Sequence, residues 1–140
     1  MERTSKAHWK GDLRSGTGTL STQSGVLNNA PYTFMTRFEN GKGTNPEELV
    51  GAAHAGCFTM SVAANLTKAG HTAEDLSTEA IVTLDQVNGA PTVTKIHLKL
   101  HGKVPGIDQA TFEGIAEEAK KYCVISRLIN AEITLEVTFG

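Results

Sequence analysis

Apolar and polar residues alternate with a period of two in three segments of the C-terminal half, which predicts three strands, each with one buried face. Ala80, Val82 and Leu84 share a face in the first segment, Ile96, Leu98 and Leu100 in the second, and Ile133, Leu135 and Val137 in the third. The opposite faces read Glu79, Thr83, Asp85; Lys95, His97, Lys99, His101; and Glu132, Thr134, Glu136. One basic face between two acidic ones places the Lys95 strand in the middle of a sheet. Asn88 and Gly89 predict a tight hairpin between the first two strands. A period of 3.6 returns over residues 109–122, where Phe112, Ile115, Ala119, Tyr122 and then Cys123 share one line behind the capping Asp108. Residues 124–130 predict a further short helix. Nearer the N-terminus, residues 7–12 and 16–21 read as strands around a turn, with Trp9 as a core anchor. Residues 30–39 read as a third strand, whose alternation sets Arg37 opposite an aromatic face of Tyr32, Phe34 and Phe38.

The longest element is a helix over residues 46–69. Asn45 caps it, Pro46 occupies the first helical position, Glu47 and Glu48 face its positive end, and Gly70 closes it. At 1.5 Å per residue it is about 36 Å long. From Leu49 to Leu66 it is almost free of charge and rich in Gly and Ala, the signature of a central helix wrapped on most sides by other structure. His54, Thr59, Ser61 and Asn65 argue against a membrane span despite that length. Glu47, Val50, His54, Cys57, Ser61 and Asn65 fall within about 80° of arc, so Cys57 lies mid-helix on the most polar line.

Composition narrows the function classes. With 140 residues, 39% of them apolar, the chain is expected to form a single domain, residues 1–140, with a sizeable core. A net charge of -2 with scattered Lys and Arg speaks against nucleic acid and anionic membranes as partners. The N-terminal MERTSKAHWKGD lacks the apolar core of a signal peptide, so a cytoplasmic location is expected. Two cysteines in a reducing compartment then serve packing, a metal or transient redox chemistry rather than a permanent staple.

Cys57 and Cys123 are inward on two different helices, which fits inert packing as well as a reactive pair. In the reactive reading, a Cys57 thiolate attacks a hydroperoxide, becomes a sulfenic acid and condenses with Cys123. Cys57 lies beyond the first-turn reach of the helix dipole, so a cation must come from elsewhere. Arg37 is the candidate, with Glu47 as the carboxylate that orients it. Glu47 precedes Cys57 by ten residues, about 15 Å along the axis, so the guanidinium spans the gap or a second chain contributes. His54 and Cys57 also have the H-x-x-C spacing of a metal site, but no second close ligand pair accompanies them. Ser61 and Ser126 have no nucleophile elbow around them.

The stretch NPEELVGAAHAGCF, with Cys123, the opening AHWKGD, and STQSGV, YTFMTRFE, VPGID and AEITLEV, resembles the OsmC/Ohr family of thiol peroxidases over essentially the whole chain. GTNPEEL and the position of Arg37 place the resemblance on the OsmC side of that family. It implies an α+β fold with antiparallel sheets around a long buried central helix, an intertwined homodimer, and active sites at the subunit interface. It also implies reduction of hydroperoxides, organic ones preferred over hydrogen peroxide, without metal, haem or other cofactor. The electrons would come from a thiol reductant such as a lipoyl protein or a thioredoxin-like protein. Carried over by motif, Cys57 is the peroxidatic cysteine, Cys123 the resolving one, and Arg37 and Glu47 the activating pair. Within the same fold, the alternative is a non-catalytic protein holding an apolar ligand at the dimer interface. One departure from the family pattern is Val124, where proline usually follows the second cysteine; its absence predicts a more helical Cys123.

Overall fold

A long hairpin gives the C-terminal half its shape. Strands β4 (Asp75–Val87) and β5 (Ala90–Lys103) pair antiparallel around Asn88 and Gly89, whose φ angles of 52° and 80° are the positive values that a two-residue hairpin turn demands. Strand β6 (Glu132–Phe139) lies on the other side of β5, so the basic strand is central, as the charge pattern predicts. Lys99 reaches Glu79 at 3.9 Å and Glu136 at 4.0 Å across the outer face. The pairing of β5 with β6 is parallel, which corrects the expectation of an all-antiparallel sheet: Ile96 faces Ile133, Leu98 faces Leu135 and Leu100 faces Val137. The cause is the connection. Helices α3 (Gln109–Tyr122) and α4 (Val124–Leu128) carry the chain back to the start of the sheet, the crossover that a parallel pair requires.

The computed structural model describes all 140 residues. They form two compact units, Met1–Leu49 and Val50–Gly140. In the first, β1 (Ser5–Lys10), β2 (Thr17–Thr22) and β3 (Ala30–Tyr32) form an antiparallel sheet in that order. Trp9 is half-buried rather than a core anchor, its ring 5.4 Å from that of Tyr32. The strand expected over residues 30–39 stops at Tyr32, and Phe34–Phe38 is instead a short helix, α1. Thr33 turns the chain. Its hydroxyl accepts the Thr36 N–H at 3.3 Å while the Thr36 hydroxyl accepts the Thr33 N–H at 2.9 Å. This reciprocal cap brings Phe34 and Phe38 together one helical turn apart, with ring centroids 5.1 Å apart.

The long helix α2 spans Pro46–Lys68. Asn45 Oδ1 accepts the Glu48 N–H at 2.8 Å at its start, and the His71 N–H closes its end on the Leu66 carbonyl at 2.9 Å. By length and composition α2 would span a bilayer. In the fold, Gly51, His54, Phe58, Val62 and Leu66 make a buried stripe, and Phe58, Val62 and Leu66 pack into the core of the second unit. That is a narrower burial than a helix wrapped on most sides: within this chain the other face stays open, with Met60 75% exposed. The core also holds Ile96, Leu98, Leu100, Phe112, Ala116 and Ala119. On α3 the buried line runs Phe112, Ala116, Ala119, Cys123, whereas Tyr122, expected on it, is 54% exposed. The helix ends at Tyr122, and the 3.6-residue drift carries that position off the inner face.

Candidate active site

The four residues that the sequence singles out fall into two pairs, one in each unit. In the first unit, Arg37 lies in the last turn of α1 and Glu47 in the first turn of α2. Both the Nε–H and an Nη2–H of Arg37 donate to Glu47 Oε1, each at 3.0 Å. The guanidinium carbon also sits 5.1 Å from the centre of the Phe38 ring. A carboxylate on one edge and an aromatic ring beside it fix the plane of the guanidinium and leave other N–H donors for a ligand. Glu47 Oε2 is buried and accepts no hydrogen bond. Arg37 further lines an open cleft of about 250 Å³ with Trp9, Leu13, Tyr32, Phe34 and Phe38. A cation at the edge of an aromatic cleft suits a ligand with an apolar body and a polar end. Here the strand-to-helix correction matters. It is the α1 turn, and not strand alternation, that carries Arg37 to Glu47.

In the second unit, Cys57 is half-buried about three turns into α2 and packs against the hydrophobic core. Cys123 belongs to that core, 3% exposed, and both thiols are free. Val124 does not leave Cys123 helical, contrary to expectation. Cys123 has extended backbone, φ -60° and ψ 148°, and serves as both the last cap of α3 and the first cap of α4. The Ser126 N–H donates to its Sγ at 3.3 Å, so a sulfur cap breaks the helix where proline would otherwise do so.

Two further residues complete this second cluster. The Cys123 S–H donates to Ser126 Oγ at 3.0 Å, and Ser126 Oγ lies 2.8 Å from His54 Nε2. His54 is fully buried, and its Nδ1 has no hydrogen-bond partner. The Nε2 of His54 is engaged with Ser126, 72 positions away in sequence. No periodicity marks that pairing. The one available signal was the matching three-residue spacing of His54 to Cys57 and of Cys123 to Ser126.

Burial pushes the His54 imidazole below 6.5, its ordinary value, so the folded state holds it neutral where an unfolded chain takes up a proton. The unfolded state then binds more protons, and stability falls as pH drops through 6.5. Urea midpoints at pH 7.5 and 5.5 are expected to show this loss, and His54→Gln is expected to reduce it. Equal losses in the two proteins would remove His54 as its source.

Comparisons with known proteins identify the family. A family model described as OsmC-like protein matches residues 39–138. The chain belongs to the OsmC-like family. Peroxiredoxin OsmC from Escherichia coli is 52% identical over 136 residues, covering 97% of this chain and 95% of that protein. The organic hydroperoxide resistance protein of Xanthomonas axonopodis pv. citri is 30% identical over 102 residues, covering 71% and 69% of the two chains. Among solved structures, an OsmC-like protein of unknown function from Vibrio cholerae superposes with a TM-score of 0.78 at 18% identity, covering 99% of each chain. The OsmC-like fold is therefore shared at full length, with the mixed α+β architecture expected of it.

Proposed function

We propose that the protein is a cysteine-based peroxidase that reduces hydroperoxides, organic ones in preference to hydrogen peroxide, with electrons from a thiol reductant. The observation that carries this reading is the pair of free thiols, Cys57 half-buried on α2 against the same core that contains Cys123. The names of its relatives, a peroxiredoxin and an organic hydroperoxide resistance protein, support it. In this reading the Cys57 thiolate attacks the terminal peroxide oxygen, the O–O bond breaks, an alcohol leaves, and Cys57 becomes a sulfenic acid. Cys123 then displaces the hydroxyl to form a disulfide, which a lipoyl or thioredoxin-like dithiol reduces. Arg37, held by Glu47, supplies the positive charge that favours the thiolate and the peroxide oxygens. The aromatic cleft beside Arg37 accounts for the preference for an organic substrate. The open apolar face of α2 supports a homodimer in which that face is covered.

Steady-state consumption of cumene hydroperoxide and of hydrogen peroxide, with dihydrolipoamide as reductant, tests this reading. Faster consumption of the organic substrate is expected; rates equal to the protein-free mixture for both would reject it. Replacing Glu47 by Ala is expected to lower the rate about 100-fold by releasing the guanidinium from its productive orientation. The Arg37–Glu47 pair is partly exposed, with side chains 41% and 14% accessible, so the change in stability should stay within about 1 kcal/mol. An unchanged rate in Glu47→Ala would remove Glu47 from the activating pair.

A further inference from the structure

We propose that Ser126 and His54 form a proton relay for Cys123, taking the thiol proton during disulfide closure through the chain Cys123 Sγ, Ser126 Oγ, His54 Nε2. The inference rests on the peroxidase reading and adds to it a proton path for the resolving thiol.

The relay uses one of the two directions open to the Ser126–His54 hydrogen bond. Ser126 Oγ accepts from the Cys123 S–H at 3.0 Å, so its own hydrogen is free to donate to His54 Nε2 at 2.8 Å. With Nε2 as acceptor, the neutral ring carries its hydrogen on Nδ1, the buried atom without a partner. A fully buried histidine aligned in this way has no solvent-facing role, and each link is of hydrogen-bonding length. The relay also joins the two cysteine-bearing elements. His54 precedes Cys57 by three residues on α2, a separation that makes helical side chains neighbours, and Ser126 follows Cys123 by three.

Closure joins the Cys57 sulfenic acid to the Cys123 thiol. The S–S bond forms, the S–O bond of Cys57 breaks, the Cys57 sulfur is reduced, the Cys123 sulfur is oxidised, and one water leaves. As Cys123 attacks, its proton moves to Ser126 Oγ while the Ser126 proton moves to His54 Nε2. The resulting thiolate accepts hydrogen bonds from both the Ser126 hydroxyl and the Ser126 N–H. The departing hydroxide is neutralised by the proton that the imidazolium releases, which restores neutral His54. Burial disfavours a lasting imidazolium, so the charge is carried only during the transfer. Ser126 touches the reacting sulfur, and His54 is a positioning residue that acts through it.

The test is a single turnover with one equivalent of cumene hydroperoxide, quenched at intervals. Loss of the first thiol, dimedone-trapped sulfenic acid and disulfide are each followed by intact mass. In Ser126→Ala and in His54→Gln, loss of the first thiol is expected at the wild-type rate. Closure should slow roughly 100-fold and the trapped sulfenic acid accumulate. Ser126→Thr keeps a hydroxyl and is expected to close near the wild-type rate. Closure in the wild type should be slower in deuterium oxide, and Ser126→Ala should lose that isotope dependence. Wild-type closure in both Ser126→Ala and His54→Gln would overturn the relay and leave the peroxidase reading standing. Closure in Ser126→Thr as slow as in Ser126→Ala would also overturn it, by assigning Ser126 to packing alone. Failure of the wild type to lose any thiol would overturn the peroxidase reading and the relay with it.

Discussion

Replacing Cys57 by Ser is expected to bring hydroperoxide turnover down to the uncatalysed background, while Cys123→Ser consumes one equivalent and stops. The asymmetry follows from the chemistry of the two sulfurs. A serine hydroxyl at position 57 is a weak nucleophile with no base shown beside it, so the O–O bond is never attacked. With Cys123 replaced, the first attack proceeds, but the sulfenic acid has no internal thiol to condense with and persists until trapped or over-oxidised. The measurement is hydroperoxide consumed per protein together with the mass of the product. Sustained turnover by Cys57→Ser would place the reactive group elsewhere. Full turnover by Cys123→Ser would mean that the external thiol reductant attacks the sulfenic acid directly.

The second large effect is on stability and comes from Gly102, the only residue of β5 whose missing side chain makes room for an aromatic ring. A Cβ built there would lie 2.1 Å from Phe112 Cζ and within 2.8 Å of two more atoms of that ring. Phe112 is fully buried and packs on Phe139 with ring centroids 5.1 Å apart, so it has no open direction in which to retreat. Gly102→Ala is expected to cost about 1–3 kcal/mol. For a chain of this length that lowers Tm by roughly 3 °C per kcal/mol. Combining it with Phe112→Leu, which withdraws the ring edge, should cost less than the sum of the single changes, with a coupling of about 1 kcal/mol. Thermal unfolding of the four proteins measures this, and strict additivity would show that the two sites do not share that space.

Much of this architecture is written in short-range patterns. The alternation of Ile96, Leu98 and Leu100 under Lys95, His97 and Lys99 specified a central basic strand, and the structure has one. Asn45, Pro46 and the paired Glu47 and Glu48 marked the start of α2 to the residue. The failures have a common cause in interactions that local periodicity does not encode. Residues 30–39 alternate like a strand, but two threonines three apart, Thr33 and Thr36, form a reciprocal cap that lacks the usual acidic or amide partner. The parallel pairing of β6 depends on the path of α3 and α4, and not on either strand alone. Cys123 is taken out of the helix by its own sulfur, a device that the missing proline concealed.

The candidate site divides along the same line. Arg37, Glu47, Cys57 and Cys123 were legible because their residue types suit thiol chemistry and their motifs resemble a family. The Arg37–Glu47 contact itself follows from the α1 turn, which the alternation masked. In the sequence His54 stands as half of an isolated H-x-x-C spacing and Ser126 as a serine without a nucleophile elbow. Only the fold, which closes a separation of 72 positions, brings them together.

The central claim is tested most directly by counting free thiols and recording intact mass under non-reducing conditions, before and after one equivalent of an organic hydroperoxide. Loss of both thiols, a fall of about two hydrogens in mass and a chain that still runs as a monomer on a denaturing gel are the predicted result, an internal Cys57–Cys123 disulfide. Two thiols untouched by the hydroperoxide would contradict the account. The cysteines would then be packing, and the aromatic cleft beside Arg37 would be a binding site for an apolar ligand.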